Sequence, residues 1–214
     1  MSDIFREVDE DLRRDQLDKL WKKYGSWVIG AAVLVVGATA AWTGWKEWQL
    51  HERRAESIKY VAALDLAGSG QADKAVEAFA ELGKGESAGH GLLARFEAAA
   101  LKAKSGDKAA AAAAFTAIAE DSAVDRIYRD LAAVLSGLNG LGSAEPSAVI
   151  ARVQPVAGGD GPWRANALEV AALAQLKSGD KAAARESYRR IADDLAAPPA
   201  LRARAAEMVQ ALGT

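Results

Sequence analysis

From Trp27 to Trp45 the chain runs for 19 residues without a charged side chain, WVIGAAVLVVGATAAWTGW. A helix of that length covers about 28 Å, close to the roughly 30 Å hydrocarbon core of a bilayer. Five of the six tryptophans flank it: Trp21 and Trp27 on one side with Tyr24, and Trp42, Trp45 and Trp48 on the other. Amphipathic rings at both ends suit the two membrane–water interfaces. A buried helix of a soluble core has no use for that arrangement, nor for lysines just outside it. Ala38-Thr39-Ala40 resembles a signal-peptide cleavage site, but the preceding segment holds 7 acids and 6 Lys/Arg. Secretory leaders begin with short, simply basic segments. The reading is a retained single transmembrane helix over residues 26–48.

The head, residues 1–25, carries six basic side chains, with Lys19, Lys22 and Lys23 next to the span. The other flank offers four: Lys46, Arg53, Arg54 and Lys59. Basic residues near a span favour the cytoplasmic side. The expected orientation therefore places the head in the cytoplasm and residues 49–214 across the membrane. In the head, Phe5, Val8 and Leu12 recur at helical spacing, as in a short solvated helix or one that meets a partner.

Composition removes several classes. The chain has no cysteine, so disulfides and thiolate chemistry are excluded. Lys plus Arg is 27 against 29 acids, which leaves no basic footprint for nucleic acid. His51 and His90 stand alone, and Asp9-Glu10-Asp11 and Asp193-Asp194 read as solvated helix faces. Gly158-Gly159-Asp160-Gly161 lacks the strand and helix a nucleotide loop requires. No catalytic residue, metal site, cofactor or small-molecule substrate is expected, and the chain is not expected to be an enzyme. Fifty alanines and five prolines point to an all-α fold.

Beyond residue 49 the sequence repeats itself. KSGDKAAA occurs at 104–111 and again at 177–184, and glycines recur at Gly70, Gly106, Gly142 and Gly179. Three of these glycines share a pattern. Seven residues before them lie Ala63, Ala99 and Ala172; five after come Ala75, Ala111 and Ala184. Nine after come Phe79, Phe115 and Tyr188, then Leu82, Ile118 and Ile191. The pattern resembles the tetratricopeptide repeat: a helix, a glycine turn that accepts a left-handed backbone, and a second helix. Small residues would let the paired helices approach while the aromatic fills the gap. The unit around Gly142 has Ala151 where the aromatic belongs, with Pro146, Pro155, Gly158, Gly159 and Pro162 nearby, and is expected to be degenerate. The resemblance implies an α-solenoid of about four helix–turn–helix units over 49–214, closed by a capping helix at Leu201–Leu212.

Such stacks expose a concave face lined by the first helix of each unit. Counting back from each glycine gives Tyr60 and Leu64, then Leu93 and Phe96, then Arg129, Ser136 and Asn139, then Asn166, Glu169 and Leu173. The predicted groove is apolar beside the membrane and polar at its far end, which suits protein segments bound by burial. Tyr60, Leu64 and Phe96 equally fit simple packing against neighbouring helices. In the span, Gly37 with Ala41 and Ala40 with Gly44 form small-xxx-small pairs that can admit another helix.

The head DIFREVDEDLRRDQLDKLWKKYG, the tryptophan-rimmed span and the units beginning near Ile58 and Leu92 together resemble the YfgM-like ancillary subunits of the bacterial SecYEG translocon. That resemblance implies an inner-membrane protein with a periplasmic repeat domain. Its implied partners are translocon subunits and nascent or unfolded envelope proteins, which it would help to chaperone. A scaffold or accessory subunit of another inner-membrane complex is the alternative.

Overall fold

The computed structural model describes residues 3–85 and 90–213. Among the described residues it contains nine α-helices and no strand. These are α1 (Asp3–Gly68), α2 (Ala72–Leu82), α3 (His90–Lys104), α4 (Lys108–Ala119), α5 (Arg126–Gly140), α6 (Pro146–Ala157), α7 (Arg164–Lys177), α8 (Lys181–Ala192) and α9 (Pro199–Ala211). The chain divides into two compact units, Met1–Ala55 and Glu56–Thr214. In the first, the side chains of Phe5, Val8 and Leu12 fall outside the described part. Leu20–Gly68 contains a stretch long and apolar enough to cross a membrane, and none of that stretch is buried in the protein. Trp21, Trp27, Trp42, Trp45 and Trp48 are all exposed.

The second unit is built from helix pairs: the last turns of α1 with α2, then α3 with α4, α5 with α6, and α7 with α8. Three of the pairs share one turn. Ser69-Gly70-Gln71, Ser105-Gly106-Asp107 and Ser178-Gly179-Asp180 each connect two helices. Gly70, Gly106 and Gly179 have φ of 80°, 95° and 86°. This is the left-handed region that a Cβ disfavours. The reversal satisfies helix-end carbonyls: Gly179 N–H donates to Leu176 O at 3.0 Å and Asp180 N–H to Gln175 O at 2.9 Å. The serine hydroxyls of Ser69, Ser105 and Ser178 each donate to the carbonyl three residues back. Asp107 and Asp180 then cap the next helix, accepting from Ala110 N–H at 3.0 Å and Ala183 N–H at 2.9 Å. The repeated KSGDK is thus a helix stop followed by a helix start.

The third unit departs from the expected register. Gly142 does not take a left-handed φ, and its connection is longer, running from Leu141 to Glu145 before Pro146 opens α6. The longer connection is offset by an earlier end of α5, so the small residue of this unit stands five residues before Gly142, not seven. In the other units, 16 residues separate the buried alanine from the buried aromatic: Ala63 to Phe79, Ala99 to Phe115 and Ala172 to Tyr188. Counted the same way, Gly137 pairs with Val153, and Val149 and Val156 take the places of the second alanine and the aliphatic. All three valines are buried, whereas Ala151 is exposed. Gly137 replaces alanine because the space is gone. A Cβ there would lie 2.6 Å from Val153 Cγ1 and 3.0 Å from Val170 Cγ1.

The core follows this logic as a chain of linked clusters. The first joins Ala63, Ala75 and Phe79 to Ala94 and Ala98 of α3, and the second joins Phe115 and Ile118 to Ala132 of α5. The last runs from Val149 and Val153 through Tyr188 and Ile191 to Leu201 and Ala205 of α9. In α9, Arg204, Glu207 and Gln210 stay exposed.

Gly137→Ala is expected to destabilise the chain by about 1–3 kcal/mol through overpacking. Gly179→Ala should cost about 1–2 kcal/mol through its left-handed backbone. Gly142→Ala, with open space and ordinary φ, should change stability by less than about 0.5 kcal/mol. Thermal unfolding of the full chain in detergent, followed by circular dichroism, would rank the three; a Gly142 variant as damaging as the others would refute the register.

Candidate protein-binding surface

The residues proposed as a groove fall on the first helix of each pair, and the structure separates them into two kinds. Tyr60 and Phe96 stand three residues before the small residue of their helices and lean onto the aromatic of the paired helix. Tyr60 meets Phe79 edge-on with ring centroids 5.4 Å apart, and Phe96 lies 5.9 Å from Phe115. Both are half-buried. Burial pushes the Tyr60 hydroxyl pKa up, and the nearby Glu97 carboxylate adds to the shift. His90 stands 5.9 Å from Tyr60, ring to ring. Leu64 and Leu93 are different, being 40% and 51% exposed.

In the fourth unit Glu169 occupies the position of Tyr60 and Phe96. It accepts a hydrogen bond from Arg204 Nε of α9 at 2.7 Å. That bond, followed by the charge of Glu169, raises the Arg204 pKa. Tyr188 lies below, its hydroxyl pushed up first by burial and then by Glu169, against the opposing Arg204. Asn166 and Leu173 are half-buried on the same helix.

The third-unit candidates are displaced by the register shift. Ser136 is fully buried. Its hydroxyl donates to Ala112 O at 2.8 Å and lies 2.7 Å from Thr116 Oγ1, so it fastens α5 to α4. Asn139 turns its amide back onto Leu135 O of its own helix at 2.8 Å. Arg129 is half-buried, with its Nε atom enclosed and unpartnered. The positions equivalent to Leu93, Phe96 and Leu64, counted from Gly137, are Leu131, Val134 and Leu138. Val134 is buried, Leu131 half-buried and Leu138 48% exposed. The signal that locates them is Pro146, a residue favoured at the first helical position, which marks the start of α6.

Charges collect instead where one pair meets the next. Arg95 binds Asp121 at 2.6 Å and also donates to Ala117 O at 3.2 Å. Arg164 binds Asp194 at 2.6 Å. Trp163 Nε1 donates to Ile127 O at 2.9 Å, and Arg190 donates to Ala157 O at 3.4 Å. Arg95 and Asp121 also line a cleft of about 380 Å³ with Gly83, Gly91, Leu92 and Tyr128, where their mutual pairing satisfies both charges. Among the described residues, no cluster of three or more His, Asp or Glu side chains is placed to hold a metal ion.

Stacked helix pairs with a small residue facing a bulky one, and a glycine turn between, define a helix–turn–helix repeat protein. The chain belongs to the tetratricopeptide repeat-like domain family, whose pattern matches residues 19–199. No curated protein and no solved structure matches it at a significant level. Membership makes the chain a protein–protein interaction module.

The Arg95 hydrogen bond, followed by that of the Ala123 N–H, holds the Asp121 carboxyl below its ordinary value. A depressed carboxylate contributes stability that is complete above its unfolded pKa, about 4, and is lost as pH falls through the lower folded value. Asp121→Asn should therefore lower the melting temperature of the full chain at neutral pH and lose less stability than the wild type on acidification below about pH 4. Parallel melting curves across that range test it; identical acid limbs would show that the pair contributes nothing.

Proposed function

We propose that the chain is a membrane-anchored protein-binding module of the bacterial inner membrane that acts by binding, not by catalysis. The head lies in the cytoplasm, one helix near residues 26–48 spans the bilayer, and the repeat domain works in the periplasm. There it associates with the SecYEG translocon and assists envelope proteins as they emerge. The observation that carries this reading is the conjunction in one chain of a tetratricopeptide-like interaction domain with an uncharged, tryptophan-rimmed stretch whose side chains lie open. Exposed apolar side chains over such a length suit lipid, since soluble proteins rarely leave a continuous apolar patch in water. Tethering beside an exit channel raises the local concentration of a binding face, so weak contacts suffice.

A scaffold role in another inner-membrane complex is the second reading. Gly30, Gly37 and Gly44 have nothing within 4 Å of where a Cβ would stand, leaving room for another helix against the span.

Two measurements decide. Protease added outside the inner membrane of intact spheroplasts should cut after residue 50 and leave the head protected; protection of the repeat domain would reverse the orientation. Purification of the full chain from solubilised membranes should recover translocon subunits by mass spectrometry. Recovery of some other complex in stoichiometric amount, without translocon subunits, would favour the scaffold.

A further inference from the structure

Asparagine or aspartate is followed by glycine at two places in the chain, Asn139-Gly140 and Asp160-Gly161. At such a step the side-chain carbonyl carbon and the next backbone nitrogen come together most readily, because glycine sets no Cβ beside the nitrogen. The structure holds the two steps in opposite ways. Asn139 and Gly140 end α5, where a backbone N–H is committed to the carbonyl four residues earlier. The Asn139 amide is drawn back as well, donating to Leu135 O at 2.8 Å. Its carbon is thus anchored a turn behind, and the nitrogen it would meet is occupied. Asp160 and Gly161 stand outside any helix, in the connection between α6 and α7. The Asp160 carboxylate is 96% exposed and lies 3.5 Å from Arg126. Both ends of the connection are fixed: Gly158 N–H donates to Gln154 O at 2.9 Å, and Arg164 N–H to Gly161 O at 3.1 Å. Among the described residues, the N–H of the peptide joining Asp160 to Gly161 has no backbone acceptor.

We infer that Asp160 is a self-modification site, at which aspartate isomerises to isoaspartate as the folded chain ages. The Gly161 nitrogen attacks Cγ of the protonated carboxyl. An N–Cγ bond forms, and the nitrogen's proton leaves with the carboxyl hydroxyl as water, closing a cyclic imide. Water then adds at the Asp160 main-chain carbonyl and breaks its bond to nitrogen. The main chain now runs through Cβ and Cγ, and Cα carries the free carboxylate. The water lost in the first step is regained in the second, so no other reactant is required. Both reacting atoms belong to one short loop, and the rate turns on whether that loop brings them to attacking distance. The helix forbids this at Asn139, and the connection allows it at Asp160. The product lengthens a segment tied to α5 by Arg126 and by the bond from Trp163 Nε1 to Ile127 O. Its carboxylate is also carried away from Arg126, so isomerisation loosens the third pair from the fourth.

The test ages the full chain in detergent for several weeks in neutral buffer made with heavy-oxygen water, beside a second sample unfolded in urea. Each is digested in ordinary water and read by mass spectrometry. In the folded sample the peptide containing Asp160 should gain the mass of one heavy oxygen and split into two chromatographic forms. An isoaspartate-specific methyltransferase should label only one of the two. Gly161→Ala should slow the gain about tenfold or more, because a Cβ beside the nitrogen obstructs its approach. Asp160→Asn should react faster than the wild type, expelling ammonia in place of water. Asn139 should remain an amide in the folded sample and become the first residue to react in urea. The aged wild type should melt at a lower temperature than the aged Gly161→Ala variant. Deamidation of Asn139 ahead of change at Asp160 in the folded chain would overturn the geometric argument. Absence of heavy oxygen at Asp160, while Asn139 reacts in urea, would overturn the site. Isomerisation that leaves the melting temperature unchanged would overturn the loosening of the two pairs.

Discussion

Everything in the repeat domain depends on how closely the two helices of a pair approach at one point. At that point stands a residue with almost no side chain: Ala63, Ala99, Gly137 or Ala172. Opposite it stands the bulkiest core residue of the pair, Phe79, Phe115, Val153 or Tyr188, and all four are buried. Volume is exchanged across the contact. Where the second helix also carries Val149 in place of an alanine, the first helix gives up its last methyl group and becomes Gly137. Interiors are packed like crystals, so such a trade must balance within a methyl group or so. Buried alanines of the second helices, such as Ala75, Ala111 and Ala184, serve the same close packing.

A pair built this way cannot stand alone. It buries only a few large side chains, such as Phe115 and Ile118, and full burial of each contributes about 1.5–3 kcal/mol, against a conformational entropy cost of about 1–2 kcal/mol for each residue fixed. The clusters show how the deficit is met: each borrows from the next first helix, with Ala94 and Ala98 completing the core around Phe79 and Ala132 completing that around Phe115. Nearest-neighbour coupling of this kind makes stability a property of the stack. The ion pairs Arg95 with Asp121 and Arg164 with Asp194 tie the first helix of a pair to the segment that follows its second helix.

Much of the fold was legible in the sequence because three units obey one spacing, and glycine with φ near 80–95° has few substitutes at a helix end. Ala63, Ala75 and Phe79, with their counterparts around Gly106 and Gly179, are core residues as the periodicity implied. The third unit was misread because Gly142 sits at the right interval and yet is not the turn glycine. A glycine in a loop carries no mark of its φ, and valine and glycine are too common to reveal that Gly137 and Val153 have replaced alanine and an aromatic. The candidate surface suffered accordingly. Tyr60, Leu64, Leu93, Phe96, Asn166 and Glu169 lie at equivalent positions, while Arg129, Ser136 and Asn139 were two residues out of step. The pairing of Glu169 with Arg204 spans 35 residues, and no local pattern announces a partner so far along the chain.

The scarcity of charge at the first-helix positions equivalent to Leu93, Phe96 and Leu64 has a structural cause. A first helix has one side against its own partner and another against the next pair, so its positions near the small residue sit within reach of two cores. A charge there would be stripped of part of its hydration on folding and would need a fixed counter-charge to remain. Glu169 meets that condition because α9 supplies Arg204; the equivalent positions of the first three units carry no charge. Asp121 and Asp194 lie in the connections after α4 and α8, where each is paired with an arginine of the first helix of its own pair. Packing between repeats thus leaves a row of first-helix positions with Glu169 as its one charge.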